Sequence, residues 1–535
     1  MIRCFLFRVL RGVVLVGLSA SLTTFTFGAK NPGKKSKTPE TVGATVTLSP
    51  FEVKAESMEF SHWRKVSSPH FVIYTDASAK VATKLVRQME MMHQATAFSL
   101  KRRNAKLPPT IVVLPEARSD WRKINSVGSV EWEVATSLVG GVRDVLLVEY
   151  DWSRGDLEPM WSMLSIRGAK SMNVDGPLWF LRGLSKFFRT VVFKGDTLTL
   201  GRQGGDAYWI RTRGWMEWER FFQIHSKSPE FVKDTDDLMR YEGQCGVFAH
   251  HILTHTDQSM TLRMLQWAAY LDAGNEPTEA AFQEIFGHDF KAWQKLIEDL
   301  LNGGKYSTAT IKFPPAALQF EIVDARVGAR EMRELFVLAQ IMNQQRKESD
   351  EALDSLLKRG LQTESLRELL ADACEARQRN DEELEQLKVL IEGGSTNPRV
   401  YGRAAVLTMR SAAPVLSADA RLGEEVNDIR LWCGQAIELE PLYVEANESL
   451  AWAEALAPSV EQRNLEVIAA ICRRLDGNAK TDMALAALAT ARWRAGHAKQ
   501  ARSLAELIGA SPLSRPPAKE LARDILTRLD AASKE

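Results

Sequence analysis

The chain has 535 residues, of which 45% are hydrophobic and 26% charged, the composition of a folded protein too long for a single core. Its 69 lysine and arginine residues are balanced by 68 aspartate and glutamate residues, which gives a formal net charge of +1. A nucleic-acid-binding protein would carry an excess of basic residues, so we expect no nucleic-acid partner.

The N-terminal residues have the pattern of an export signal. Three arginines precede an apolar segment that ends in small residues near Ala29. We expect residues 1–29 to be a signal peptide, either cleaved or kept as an anchor, and the mature protein to be exported to the periplasm or the cell exterior. Residues 30–59 are rich in lysine, proline and threonine and are expected to form a flexible linker. No later stretch is long and apolar enough to predict a further membrane span.

The next region combines strands with helices. Runs of β-branched and aromatic residues predict strands over 70–76, 108–117 and 143–151, and Asp76 is placed to cap a helix that follows the first strand. After residue 155 the pattern is mainly helical, with a short hairpin expected around 195–205. Strands followed by helices indicate an α+β domain, which we expect to span residues 60–305.

The C-terminal part is predicted to be an all-α array of helical repeats. Residues 306–325 are expected to be a linker, and residues 326–535 to be helical. The stretches 338–357 and 370–390 resemble each other at a separation of 31 to 32 residues, which is typical of stacked helical hairpins. Two further stretches resemble tetratricopeptide repeats: 436–457 and 484–508. Such arrays bind proteins or peptides on their surface, and we expect a partner of this kind.

Four cysteines follow the leader, and none of them has the spacing of a metal site. We expect buried free thiols, with a disulfide bond as the alternative for one pair. The cysteines are Cys245, Cys374, Cys433 and Cys472, and the alternative disulfide joins the last two.

The segment GPLWFLRGLSKFF, residues 176–188, predicts an amphipathic helix. Pro177 suits the first turn because its missing N–H needs no partner there. Leucine and phenylalanine residues then recur at helical spacing and mark a buried face. Arg182 lies in the middle of this helix.

A family resemblance gives Arg182 a meaning. The segments SSPHFVIYTDAS, LPPTIVVLPE, GPLWFLRGLSKFF and YEGQCGVFAHHIL occur in the order seen in bacterial secreted peptidase-MA-like proteins. These are gluzincin-type zinc metallopeptidases and their uncharacterised relatives. The resemblance covers about residues 60–305, and it implies a zincin-like α+β domain in a bacterial protein.

The same resemblance implies that the zinc site is degenerate. In the family, zinc is bound by two histidines of an HExxH helix and by a glutamate of a later WLxEGLAEFF-like helix. In this chain the glutamate ligand falls on Arg182 and the second glutamate of that helix on Lys186. The HExxH residues fall on Ser165, Ile166 and Ala169, so both histidines and the catalytic glutamate are replaced. We refer to these five residues as the predicted zinc-site positions.

These replacements predict a pseudoenzyme with no catalytic residues and no metal cofactor. An arginine side chain has only donors and stays protonated, so Arg182 cannot be a zinc ligand. Arg182 is then either a solvated or ion-paired helix residue, or a binding residue for an anion in the old cleft. We expect an exported binding or scaffold protein that acts through its helical repeats. A purely structural envelope protein is a further possibility.

The alternative is a metal-dependent hydrolase with a non-standard site in the segment HHILTH. His251 and His255 are four residues apart on a predicted helix, next to His250, and could share a zinc ion. Ile252 occupies the place of the general base, however, and packed or surface histidines are the more common outcome of such spacing.

Overall fold

The computed structural model describes residues 60–533, with gaps. The gaps are at 102–105, 116–134, 140, 149–156, 173, 175, 203, 230–234, 304–305, 344–346, 362 and 476–480. The predicted signal peptide and the predicted linker over 30–59 lie outside the described residues. Residues 59–535 form one compact unit.

The first part of the chain is built on a mixed sheet. Its strands are β1 (Arg64–Ser67), β2 (Phe71–Thr75), β3 (Thr110–Leu114), β4 (Ala135–Val139), β5 (Asp144–Val148) and β9 (Val323–Arg326). They are arranged in the order β4-β5-β3-β2-β1-β9, in which β2, β3 and β5 are parallel and the other pairs antiparallel. The central strands β3 and β5 are buried along almost their whole length, as expected for parallel strands covered on both faces. The three strands predicted from sequence are therefore present.

A second, smaller sheet is antiparallel. It contains β6 (Val192–Lys194), β7 (Thr197–Leu200) and β8 (Ala309–Lys312), of which β6 and β7 form the hairpin expected in this region. Gly195, in the turn between β6 and β7, has φ +61°, a conformation that favours glycine.

Helices cover the sheet and supply most of the hydrophobic core of residues 66–313. They are α1 (Ala79–Leu100), α2 (Glu158–Ser171), α3 (Leu178–Arg189), α4 (Asp206–Arg213), α5 (Trp218–Gln223), α6 (Thr235–Leu253), α7 (Ser259–Asp272), α8 (Glu279–Phe286) and α9 (Phe290–Asn302). Helix α3 is the helix predicted over 176–188, and its leucine and phenylalanine face is buried. The predicted cap of α1 was wrong, because Ser78 and not Asp76 accepts the hydrogen bond from the Val81 N–H.

The segment predicted as a linker is part of both sheets. Within residues 306–325, β8 pairs with β7, and β9 begins at Val323 and pairs with β1. An ion pair between Arg64 and Asp324, 2.5 Å apart, strengthens the second of these pairings. The sequence did not indicate these strands because both are short and mostly exposed, which leaves no clear apolar alternation.

After β9 the described chain is helical. The helices are α10 (Ala329–Asn343), α11 (Lys347–Arg359), α12 (Glu364–Ala376), α13 (Asn380–Glu392), α14 (Pro398–Ala412), α15 (Glu425–Leu439), α16 (Val444–Ala455), α17 (Gln462–Arg474), α18 (Asp482–Arg494), α19 (Ala498–Ala510) and α20 (Pro516–Ala532). Consecutive helices pack against each other, and we call α10–α20 the helical array. Cys433 and Cys472 are free thiols, so the alternative disulfide is not formed.

The helical array binds the turn between β4 and β5 through carboxyl groups of α12. The carboxyl oxygens of Asp372 accept hydrogen bonds from the backbone N–H groups of Val142 and Arg143 at 2.8 and 2.9 Å. Glu375 accepts one from the N–H of Gly141 at 2.7 Å. Asp372 is 1% exposed, so these bonds replace the water that would otherwise solvate the turn.

Side chains complete this contact. The Arg143 guanidinium lies 2.6 Å from a carboxylate oxygen of Glu368, which is 1% exposed. Asn397, at the start of α14, donates its amide N–H to Glu368 at 2.7 Å and to the carbonyl of Val142 at 3.2 Å. We refer to Glu368, Asp372, Glu375 and Asn397 as the turn clamp.

None of the described helices is both long and apolar enough to span a membrane.

We expect Asp372→Ala to lower the free energy of unfolding by about 2–5 kcal/mol, because two buried N–H groups lose their acceptor. Urea denaturation of the purified chain measures this change. The matched control is Glu385→Ala, whose side chain is 66% exposed, and which should shift the value by less than about 0.5 kcal/mol. Equal effects of the two substitutions would contradict the importance of the turn clamp.

Candidate functional site

Helices α2 and α3 lie antiparallel and contact each other through two pairs of side chains. The hydroxyl groups of Ser162 and Ser185 are in direct contact. One turn away, the Arg189 Nε donates to Glu158 Oε2 at 3.2 Å. Two of the predicted zinc-site positions therefore lie opposite each other. One is three residues after Ser162 on α2, and the other is three residues before Ser185 on α3.

Those two positions are Ser165 and Arg182. Ser165 is completely buried and its hydroxyl donates to the carbonyl of Ser162 in the same helix at 2.7 Å. Ala169 is also completely buried, and Ile166 packs against the core. The α2 positions therefore offer one internally bonded hydroxyl and two apolar side chains.

The α3 positions bind carboxylates of the chain itself. Arg182 lies 3.4 Å from Glu242 of α6, and Lys186 lies 3.0 Å from the other oxygen of the same carboxylate. Lys186 also lies 3.4 Å from Asp206, the first residue of α4. These four side chains, two cations and two acids, form what we call the charge cluster.

Two glycines of α3 and α6 allow the helices to come this close. A Cβ atom added at Gly183 would lie 2.8 Å from the Cβ of Ala249 and 3.0 Å from the carbonyl oxygen of Cys245. A Cβ atom added at Gly246 would lie 2.6 Å from the Cγ of Asp206. Both contacts are closer than real Cβ atoms approach, so larger residues would push the acids away from the cations.

The charge cluster is electrostatically satisfied. Burial would raise the pKa of Glu242, but the positive charges of Arg182 and Lys186 outweigh it and hold the pKa below its usual value. Burial would lower the pKa of Lys186, but Glu242 and Asp206 outweigh it and raise the pKa. Burial raises the pKa of Asp206 and outweighs the effect of Lys186. Glu242 and Lys186 therefore stay charged at neutral pH and compensate each other.

These residues do not fit a zinc ion. Zinc sites use imidazole, thiolate and carboxylate ligands, whereas the predicted positions carry a hydroxyl, apolar groups and two cations. Glu242 is a carboxylate, but both of its oxygens already face a cation.

The alternative histidine site is assembled only in part. The Nε2 atom of His250 lies 3.0 Å from the carbonyl oxygen of Gly201 and 2.8 Å from that of Ser307. Carbonyl oxygens only accept hydrogen bonds, so Nε2 carries the proton and cannot bind a metal in this geometry. The ring also packs on Tyr306, with centroids 3.8 Å apart.

His251 and His255 do come close to each other. Their ring centroids are 5.4 Å apart, and His251 also packs edge-on against Trp293 at 5.1 Å. Burial, with smaller contributions from neighbouring histidines, lowers the pKa of His251 to about 4. The cavity beside His250 and His251 has a volume of about 20 Å³, the size of a water molecule rather than of a substrate. Over the described part of the chain, no group of three or more metal-binding side chains occurs.

Sequence reasoning missed the two acids of the charge cluster. Glu242 is the single acid among residues 238–253 of α6, a stretch that also contains Arg240 and Gln244, and Asp206 follows two glycines at the start of α4. A lone acid on a buried helix face is the signal that predicts a partner of opposite charge. The identity of that partner depends on helix packing, which the sequence pattern does not give.

Comparison with protein-family models, with curated proteins and with solved structures finds no match to this chain. The family resemblance of residues 60–305 therefore stays a prediction.

We expect Glu242→Gln to lower the free energy of unfolding by about 3 kcal/mol, because the buried ammonium group of Lys186 loses this carboxylate. The Arg182 side chain, 41% exposed, contributes little because water can solvate it instead. Glu158→Gln is the control, since Glu158 also pairs with a cation of α3 but is 47% exposed, and should cost less than about 1 kcal/mol. Chemical denaturation at pH 7 separates the two. A smaller loss for Glu242→Gln than for Glu158→Gln would show that the charge cluster does not stabilise the fold.

We also expect stability to fall as the pH decreases from about 6.5 to about 4, because unfolded histidine binds a proton near pH 6.5. In the folded state, burial lowers the pKa values of His93 and His251 to about 4, so neither binds a proton until the pH is lower. Each contributes on the order of 2–3 kcal/mol to this loss. Above pH 6.5 their contribution is constant.

The measurement is the free energy of unfolding of His251→Leu at pH 7 and at pH 4.5. The difference between the two pH values should be smaller than in the unchanged protein. His62→Leu, which replaces an exposed histidine, should leave the difference unchanged. An unaltered pH dependence in His251→Leu would contradict the assignment.

Proposed function

We propose that this chain is an exported bacterial protein that acts by binding, with a catalytically inactive metallopeptidase-like domain followed by a helical array that holds a protein or peptide partner. The charge cluster is the observation that supports the proposed lack of catalytic activity. At the position where the resembling family has its glutamate ligand, Arg182 pairs with the internal carboxylate of Glu242. A cation neutralised in this way gives neither a metal ligand nor a general base.

The helical array supports the binding role. Part of its surface, on α12 and the start of α14, is already occupied by the turn between β4 and β5. A separate partner would therefore contact the rest of the array surface. Large apolar side chains are exposed there: Val389, Val415, Leu431, Leu442, Leu507 and Leu513. Exposed apolar side chains of this kind supply the contact area of protein–protein interfaces.

The hydrolase around His250, His251 and His255 is the second candidate. The observation in its favour is the approach of the His251 and His255 rings to 5.4 Å. The protonated Nε2 of His250 and the small cavity argue against it.

Metal analysis of the purified chain separates the two candidates. We expect far less than one zinc per chain and no peptide cleavage that a chelator stops. One zinc per chain together with chelator-sensitive cleavage would refute the binding proposal. If His251→Ala and His255→Ala then removed both, the hydrolase would be the correct assignment.

Photo-crosslinking tests the partner surface. We expect a photoreactive residue at position 431 or 507 to capture a defined partner in cells that export the protein, because these positions are 58% exposed in the array. The matched control is position 98, which is 72% exposed but lies on α1 of the first region. The same pattern of products at all three positions would contradict a partner site on the array.

A further inference from the structure

A cleft lies where the sheet meets the helical array, away from the predicted zinc-site positions. It has a volume of about 420 Å³, within the range of small-molecule sites, roughly 300–1,000 Å³. Its sheet wall is formed by residues that immediately precede the parallel strands β2, β3 and β5, and its array wall by the first residues of α12 and the residues that lead into α14. Four apolar residues line the sheet side: Pro69, Leu107, Pro108 and Pro109.

The turn clamp fixes the distance between the two walls. Arg143 belongs to the sheet wall, and Glu368 and Asn397 belong to the array wall. The Arg143–Glu368 ion pair at 2.6 Å crosses between the walls, and the Asn397–Glu368 hydrogen bond at 2.7 Å holds the carboxylate in place. These groups saturate one another, so they shape the cleft rather than contact a ligand.

On the sheet wall, His70 is oriented by a buried carboxylate. The Nδ1 atom of His70 lies 2.7 Å from Glu90 Oε2, and Glu90 Oε1 accepts hydrogen bonds from the Ser68 hydroxyl at 2.7 Å and the His70 N–H at 2.9 Å. Burial would raise the pKa of Glu90, but the hydrogen bonds from His70 and Ser68 outweigh it and lower the pKa. An ionised Glu90 makes Nδ1 the donor, which leaves the other ring nitrogen, Nε2, for the cleft.

A second histidine holds the ring plane. His93 stacks on His70 with centroids 4.2 Å apart and an angle of 29° between the rings. The His70 side chain is 28% exposed while Glu90 is 1% exposed. His70 is thus a polar group at the border of a cleft, and Glu90 and His93 fix its orientation. Binding and catalytic histidines are commonly held by neighbouring side chains in this way.

The two walls carry opposite charges. Lys106, on the sheet wall, is anchored by its backbone N–H, which donates at 2.6 Å to Glu440, the residue that follows α15. The residue is otherwise exposed, so its ammonium group is accessible to a ligand in the cleft. Glu364, on the array wall, is also exposed, and it accepts a hydrogen bond from the Ser395 hydroxyl at 2.7 Å.

We propose that this cleft binds a short peptide with free termini, of two or three residues. The peptide carboxylate contacts Lys106, its amino group contacts Glu364, a backbone N–H of the peptide donates to Nε2 of His70, and an apolar side chain packs on the proline and leucine wall. A zwitterion matches the opposite charges of the two walls, whereas a purely anionic or cationic ligand would meet one wall of like charge. The site goes beyond the proposed function, because neither the charge cluster nor the exposed apolar residues of the array contribute to it.

The test uses the full chain and the tripeptide Leu-Ala-Leu, with binding followed by calorimetry or by ligand-observed NMR. We expect acetylation of the peptide amino group, or amidation of its carboxylate, to weaken binding at least tenfold. Lys106→Gln and Glu364→Gln should each weaken binding of the free tripeptide by a similar factor. Both variants keep Arg143, Glu368 and Glu90, so the clamp and the histidine support are unchanged.

The matched controls are Lys295→Gln and Glu385→Gln, which alter exposed residues outside the cleft, and both should bind the tripeptide as the unchanged protein does. Absence of tripeptide binding would overturn the proposal. So would equal binding of free and blocked peptides, or equal binding by the cleft variants and the controls, since the peptide would then bind elsewhere. None of these outcomes bears on metal content or on the crosslinking of the array, so the two proposals fail separately.

Discussion

The contact between α12 and the turn from β4 to β5 is the interaction on which the rest of the molecule depends. Three carboxyl groups of one helix face satisfy three consecutive backbone N–H groups and one guanidinium of the turn. Buried polar groups are costly unless bonded, so neither partner is stable in this arrangement without the other. The sheet and the helical array are consequently parts of one compact unit, and the cleft between them has walls of fixed separation.

In the charge cluster, too, buried polar groups are compensated by other groups of the same chain. Lys186 lies on a helix that is otherwise packed in the core, where an uncompensated charge would be unfavourable, whereas the Arg182 side chain of the same helix is 41% exposed. Glu242 supplies the compensation, and Gly183 and Gly246 allow the necessary close approach of α3, α4 and α6. The carboxylate that could activate water or bind a metal is committed to two cations of its own chain.

The sequence predicted what depends on local patterns and missed what depends on distant pairs. Helix α3 and strands β2, β3 and β5 were predicted correctly, because amphipathic spacing and β-branched runs are local signals. Strands β8 and β9 were predicted as a linker, because their stability comes from pairing with β7 and β1 far away in the chain. The clamp was not predicted for the same reason: Asp372 is 230 residues from Val142. A buried acid on a helix shows that a partner exists, and only the fold identifies it.

A buried carboxylate also links the helix of the predicted zinc-site positions to the helical array. Asp144, the first residue of β5, pairs with Arg167 of α2 at 2.7 Å and with Arg399 of α14 at 3.1 Å. Burial would raise the pKa of Asp144, but the two guanidinium groups outweigh it and lower the pKa to about 2, so the bridge stays charged at any physiological pH. Arg167 lies between Ile166 and Ala169 on the helix of the predicted zinc-site positions. That helix is therefore tied to the array through the residue next to the clamped turn, and the array cannot shift without disturbing α2.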